Sequence, residues 1–349
     1  VLLDGASRTI ALEGAPAWLH PNVEQRGYYR WTVPPAMLAA LAGPGRGSMS
    51  ARERVGFVGN ASALLDAGAV PGDQYLELIA PFANDDHPEV VAAVVASLGK
   101  VKNAFVTPEL RAPFAAYIRR VLGPALARFG VERRPGEADA VSLLRPQLLL
   151  WLGRDGDDPA AIAHAAAVAR AFMAGGAADP SVVPVALQLH ALNGDRALFD
   201  EYRRRIETAR VPADRSRYLN AMGYFRAPDL VEAALAYVLE GPLRPQELFA
   251  IPTAVSATVD NDGRAYEFLV GNYKAISARV PPMFLAFMPH AATGCSVARA
   301  EKGKAFFSDP AHAAPGMEKE IAKMTETVKD CAALREREGA AVAAYLRKS

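Results

Sequence analysis

The placement of proline constrains what this chain can fold into more than any other feature. Inside an α-helix a proline deletes a hydrogen bond and clashes with the preceding turn, whereas at the first helical position its missing N–H costs nothing. Here prolines stand at the heads of alanine-rich apolar runs. Thr107-Pro108, Asp158-Pro159 and Asp179-Pro180 place a capping side chain before the ring, and Pro88, Pro228 and Pro245 open similar runs. The runs are about 12–18 residues long, an ordinary length for globular helices. Examples are "PEVVAAVVASLG" (88–99), "AAIAHAAAVARAFMA" (160–174), "SVVPVALQLHAL" (181–192) and "PDLVEAALAYVLEG" (228–241). Gly99, Gly153, Gly194 and Gly241 follow or end such segments and are expected as left-handed C-caps.

This punctuation predicts about fourteen helices joined by short loops. Short loops make neighbours antiparallel, and a long series of such hairpins stacks into a solenoid. The fold class expected is therefore mainly α, an irregular α-α superhelix of the HEAT/armadillo kind, without a strict repeat motif. "MEKEIAKMTETVKDCAALREREGAAVAAYLRKS" (317–349) is more charged, with apolar positions at Ile321, Met324, Val328, Cys331 and Leu334, and reads as a terminal capping helix pair.

The first 34 residues break this pattern. "RTIALEG" (8–14) alternates, and "GYYRWTVP" (27–34) crowds aromatic and β-branched residues between a glycine and the Pro34-Pro35 pair. Both read as β-strands. Two strands are marginal alone, so they require partners outside this sequence. The expected division is 1–34, the end of a β domain, and 35–349, a helical domain.

Composition excludes several functions. With Lys+Arg 39 against Asp+Glu 38 there is no basic surplus for nucleic acid, and the short run Arg203-Arg204-Arg205 reads as a solvated helix face. "LLLWL" (148–152) and "MFLAFM" (283–288) are core-sized rather than membrane-spanning. No basic region followed by an apolar run opens the chain, which favours the cytoplasm. Because the chain begins at Val1, that absence says little about its parent. Cys295 and Cys331 are the only cysteines, too few for a disulfide framework or a cysteine-ligated zinc site.

A search for chemistry yields no active site. His20, His87, His164, His190, His290 and His312 are each followed by Pro or Ala, and no two lie four apart, so HExxH cannot form. No G-x-S-x-G elbow is present. "GPGRGS" (43–48) lacks the GK(S/T) ending of a phosphate loop and reads as a connector. "DGDD" (155–158) and "DNDG" (260–263) lack calcium-loop spacing and read as turns, with Asp158 capping the next helix.

The opening stretch does carry a resemblance. "WLHPNVEQRGYYRWTVP" (18–34) resembles the "W..PN....GYYRV.Y" segment of the zinc aminopeptidases of the aminopeptidase N family, matching at Trp18, Pro21, Asn22, Gly27, Tyr28, Tyr29 and Arg30. Further segments follow in the family's order. "ERVGFVGNASALLDAG" (53–68) resembles its first long helix, and "LLRPQLLLWLG" (143–153) its "LR..LL.LA" helix. "GRAYEFLVGNYKAI" (263–276) resembles "AW.FL..NW..L", with Tyr266 and Tyr273 in place of tryptophans, and "KAFFSD" (304–309) matches its late "FF" helix.

The resemblance implies the end of the family's β-sandwich domain followed by its C-terminal superhelix. It implies a parent enzyme that removes N-terminal residues from peptides with zinc, the helical domain enclosing the active-site chamber. HExxH and the G-x-M-E-N motif belong to the region outside this sequence. "GMEKE" (316–320) is not that second motif, since Lys319 replaces the asparagine and Pro315 precedes it. No catalytic residue, metal ligand or cofactor is assigned to this chain, with zinc expected in the parent's catalytic domain. The partners implied are the parent's catalytic and β-sandwich domains and peptide substrates. The turn "GYFRAP" (223–228) is the candidate peptide contact, Arg226 for a carboxylate and Tyr224 for stacking on a side chain. The alternative is a stand-alone helical-repeat scaffold that binds a protein on its concave face. The alanine, arginine and proline richness resembles that of a high-GC bacterial coding sequence.

Overall fold

A computed structural model describes residues 5–12 and 14–348. Among these residues there are seventeen α-helices: α1 (Pro35–Ala42), α2 (Ala51–Asp66), α3 (Gly72–Ile79), α4 (Pro88–Phe105), α5 (Arg111–Phe129) and α6 (Asp139–Leu150). Then come α7 (Pro159–Met173), α8 (Val183–Leu192), α9 (Arg196–Thr208), α10 (Pro212–Met222), α11 (Pro228–Glu240) and α12 (Ala250–Ser256). The series ends with α13 (Arg264–Gly271), α14 (Tyr273–Ser277), α15 (Pro282–Leu285), α16 (Val297–Phe307) and α17 (Met317–Lys348). None is long and apolar enough to cross a membrane.

The packing order is that of an α-α superhelix. The even-numbered helices from α2 to α12 lie successively against one another, and α3, α5, α7, α9 and α11 each pair with an even-numbered neighbour. One apolar core runs through this series from Trp31 to Val255. A second joins Tyr266 and Ile276 to Met324 and Val328 of α17.

Prolines open α4, α7 and α11 at the first position, as their placement predicts, and Pro212 also opens α10, whereas Pro108 and Pro245 open only 3-10 turns and Pro180 lies ahead of α8. Asp158 accepts a hydrogen bond from the Ala161 amide at 2.8 Å and caps α7. At α2 a reciprocal box forms. Ser50 Oγ accepts from the Glu53 amide at 3.3 Å, and Glu53 accepts from the Ser50 amide at 2.7 Å and from the Glu24 amide at 2.8 Å.

Several expectations are corrected. No strand occurs among the described residues, although part of "RTIALEG", Glu13, lies outside them. A strand is defined by a neighbouring strand's amides and carbonyls. Trp31 instead donates its N–H to Asn60 Oδ1 at 3.1 Å and accepts from Asn60 Nδ2 at 2.7 Å, so one α2 side chain meets both of its backbone groups. Ile10, Leu12, Tyr28 and Tyr29 are left exposed.

The left-handed glycine caps are also elsewhere, although Gly241 does end α11 in an extended conformation, its amide donating to the Tyr237 carbonyl at 2.8 Å. The left-handed glycines include Gly68 after α2 and Gly130 after α5. Gly99 lies inside α4, because Val101, Ala104 and Phe105 carry the buried stripe onward. Gly153 and Gly194 are required by close approach. A Cβ would sit 2.6 Å from Leu189 at the first and 2.5 Å from Phe225 at the second. At Gly241 it would sit 2.7 Å from Tyr237.

The expected terminal helix pair is one helix of 32 residues, α17. It packs on α3, α4, α5 and α16, so the end of the chain returns to its beginning. Finally, Cys295 and Cys331 form a disulfide with Cα atoms 5.0 Å apart. Two cysteines are too few for a framework, but the return of α17 brings this one pair together.

Candidate functional site

The return of α17 encloses a cleft of about 1520 Å³. Its walls are the end of α4, α12 with the turn after it, residues 284–295, and the middle of α17. Phe284 and Phe287 supply exposed aromatic surface to it.

Its cations differ in one respect. Lys100 reaches Asp66 at 2.5 Å, Lys102 reaches Asp155 at 2.5 Å, and Arg337 reaches Glu338 at 2.8 Å. Arg335 has no carboxylate partner among the described residues. It donates to backbone instead, Nε to the Ala104 carbonyl at 2.5 Å and Nη2 to that of Asn103 at 3.1 Å. Those carbonyls close the C-terminal end of α4, where a cation is favoured. Burial pushes the Arg335 pKa below its usual value, with Asp262 opposing and Arg299 adding to the shift. Arg335 is thus a partly buried guanidinium whose hydrogen bonds go to backbone carbonyls rather than to a carboxylate.

Behind this wall lies a buried charge network on a π-helical turn, Trp151–Asp155, that continues α6. Asp155 sits between Lys102 and Arg154, with Arg154 Nη2 at 2.7 Å. Lys102 also donates to the Ala257 carbonyl at 2.6 Å. Burial and the charge of Arg154 push Lys102 down to about 8 against the attraction of Asp155.

The two candidate peptide contacts belong to this network rather than to the cleft lining. Tyr224 is buried and its hydroxyl is beside Arg154. Arg226 reaches Asp157 at 2.7 Å and donates to the Arg154 carbonyl at 2.9 Å. Asp157, with φ of 46°, also faces Arg111 at 3.5 Å.

The residues of the opening motif hold their own loop. Asn22 Oδ1 accepts from the Gly27 amide at 2.8 Å, Asn22 Nδ2 donates to the Gly27 carbonyl at 2.9 Å, and Tyr29 Oη donates to the Pro21 carbonyl at 2.7 Å. Arg145, from "LLRPQLLLWLG", is fully buried. It grips Glu137 with two hydrogen bonds, at 2.8 and 2.6 Å, and donates to the Gly130 carbonyl at 3.0 Å. Tyr273 donates to the His312 carbonyl at 2.6 Å, and Phe306 stacks on the His312 ring at 3.9 Å. In "GMEKE", Glu320 pairs with His290 at 2.8 Å and Lys323 at 2.7 Å.

The metal implied by the resemblance can be tested against the donors present. Among the described residues, Asp85, Asp86 and His87 bring ligand atoms together. Arg54 already stands there, 3.0 Å from His87 Nδ1 and 3.4 Å from Asp85. Two carboxylates and one imidazole neutralised by a guanidinium do not fit a catalytic zinc site.

Sequence reasoning missed Arg335 and the cysteine pair. Cys331 and Leu334 were legible as the apolar stripe of α17. That Arg335, one residue on, faces two α4 carbonyls depends on how α17 docks.

Fold and cleft together define an α-helical superhelix whose last helix borders a large cleft of mixed polar and apolar lining. A family model described as the ERAP1-like C-terminal domain matches residues 18–330, and the chain belongs to that family of domains. It is 23% identical over 287 residues to Aminopeptidase 2 of Candida albicans, covering 80% of this chain and 31% of that protein. It is 21% identical over 359 residues to mitochondrial Aminopeptidase 2 of Saccharomyces cerevisiae, covering 100% of this chain and 37% of that protein. It is 26% identical over 250 residues to Aminopeptidase M1-A of Oryza sativa subsp. japonica, covering 69% and 28%. The chain thus spans about a third of the length of these curated relatives.

Proposed function

We propose that this chain is the C-terminal helical domain of a zinc-dependent aminopeptidase, and that it walls the substrate chamber and contacts the far end of the peptide. The observation that carries this reading is Arg335, a guanidinium without a carboxylate, in the cleft of a chain from this family. The cleft exceeds the range of about 300–1,000 Å³ usual for small-molecule sites, which suits an extended ligand. A peptide's C-terminal carboxylate would give Arg335 the direct carboxylate contact it does not make within the chain, and Phe284 and Phe287 offer apolar surface to its last side chains.

Tyr224 and Arg226 act behind the wall in this reading. Arg226 fixes the turn that carries Asp155, and Asp155 positions Lys102. Residues 1–34 belong with a neighbouring domain, with the boundary at Pro34-Pro35. The exposed Ile10, Leu12, Tyr28 and Tyr29 are the apolar surface it would cover. The zinc would be held by the parent's catalytic domain, where such an ion activates water against a peptide carbonyl. This chain's residues bind and orient peptide and carry no step of that reaction.

The test uses the whole parent enzyme and two peptides that differ only in a free or amidated C-terminus. Arg335→Ala is expected to raise KM for the free acid by about 10–100-fold, the worth of a charged hydrogen bond. KM for the amide and kcat for both should stay unchanged. Equal effects on acid and amide would sink the assignment of Arg335. No aminopeptidase activity in the parent would sink the whole reading.

A further inference from the structure

We propose that the Cys295–Cys331 bridge is a reversible thiol–disulfide switch that ties residues 293–296 to α17 at the cleft. This goes beyond the reading above and does not depend on it.

Three observations carry the proposal. First, the bridge borders the cleft: Cys295 and Cys331 are both among its lining residues. Cys331 is the more exposed, Cys295 being 9% accessible. A small thiol that enters the cleft therefore meets Cys331 first.

Second, both redox states are provided for. Cys295 Sγ lies 3.5 Å from the Asn103 carbonyl and 3.9 Å from that of Ala104, and Cys331 Sγ lies 4.0 Å from the Asn103 carbonyl. On reduction each S–H has an acceptor close by, so neither thiol is stranded without a partner.

Third, the anchors on the two sides of the bridge are unequal. Without the bridge α17 is still held by Arg335 on Asn103 and Ala104, by Arg337 on the Leu65 carbonyl at 2.7 Å, and by Glu338 on the Gly72 amide at 2.9 Å. Residues 293–296 keep mainly short-range bonds. Thr293 donates to the His290 carbonyl, its own carbonyl accepts from Arg299, and Ser296 caps α16. Gly294 within them has φ of 124°. Reduction thus frees 293–296, one wall of the cleft, and leaves α17 docked.

The chemistry balances with a low-molecular-weight thiol such as glutathione. Its thiolate attacks Cys331 Sγ, the Cys295–Cys331 bond breaks, and Cys295 leaves as a thiolate and takes up a proton. A second thiol resolves the mixed disulfide and frees Cys331. Two thiols are oxidised to one disulfide, and the two electrons and two protons reside on Cys295 and Cys331.

The test equilibrates the folded chain across ratios of reduced to oxidised glutathione, starting from both redox states. Free thiols are trapped with N-ethylmaleimide and counted by mass, with hydrogen exchange measured at both ends of the series. The expected result is one reversible transition between two trapped thiols and none, with helical circular dichroism retained. Exchange should rise at least tenfold within residues 288–300 and stay unchanged over 335–346. A bridge that persists at every ratio until denaturant is added would show a fixed staple and overturn the switch. Two thiols that never pair, reduction that unfolds the chain, or reduction that leaves exchange unchanged would each overturn it too.

Discussion

Replacing Arg145 by alanine is expected to destabilise the folded chain by about 3–5 kcal/mol, read as a lower urea midpoint with the slope unchanged. Among the described residues, Arg145 heads the large side chains that are fully buried. It joins three things that alanine would leave apart: the Glu137 carboxylate, the Gly130 carbonyl that ends α5, and α6 itself. Arg145→Lys should recover only part of the loss, because an ammonium cannot form the paired bonds of a guanidinium. A pH signature separates this from simple loss of packing. Hydrogen bonds from Arg145 are the main cause holding Glu137 down to about 2, from an ordinary 4.5. A carboxyl lowered in the folded state stabilises above its unfolded value, and that contribution fades as pH falls from about 4.5 towards 2. The variant should lose this acid dependence while remaining less stable at neutral pH. A variant within about 1 kcal/mol of the original would show that the clamp holds nothing together.

Asp155→Ala should cost a similar amount, about 3–5 kcal/mol, for a different reason. Asp155 is the anion between two buried cations, Lys102 at 2.5 Å and Arg154 at 2.7 Å. Without it they face each other in a poorly solvated interior. Lys102→Met should cost no more than about 1 kcal/mol, since Asp155 keeps Arg154 and only the Ala257 carbonyl loses a donor. The pH dependence has the same sign as that of Glu137 but lies in an alkaline window, and here it relieves a penalty carried at neutral pH instead of building up a stabilisation. Lys102 is pushed down to about 8 from 10.5, so between these values the folded state has released a proton that the unfolded state still holds. Stability from this group therefore rises with pH over that window, and the Lys102→Met variant should lack the rise. In Asp155→Ala, with its acceptor gone, Lys102 should drop further and the deficit should shrink as pH increases. Equal losses for Asp155→Ala and Lys102→Met would refute this account of the network.

Much of the helical architecture was legible because helix starts are local. Pro88, Pro159 and Pro228 mark first turns by ring geometry, and Asp158 caps by reaching an amide three residues on. What went wrong required knowledge of a distant neighbour. Gly153 and Gly194 look like helix ends in sequence, yet they are glycine because Leu189 and Phe225 press against them. "GYYRWTVP" has strand composition, but among the described residues its Trp31 backbone is met by Asn60, 29 positions away. Tyr224 and Arg226 are a separate case: they were chosen for their chemistry on a turn, and the fold adds Asp157 and the Arg154 carbonyl as partners of Arg226.

The sequence by itself determined that this is a run of short antiparallel helices, and its motifs determined the family. Capping, proline placement and apolar spacing act over a few residues, within reach of a reading along the chain. Only the tertiary structure decided where α17 returns, and that return brings Arg335 to the Asn103 and Ala104 carbonyls and Cys331 to Cys295. These contacts span 36 to 232 positions, and they depend on the summed packing angles of all the helices between them.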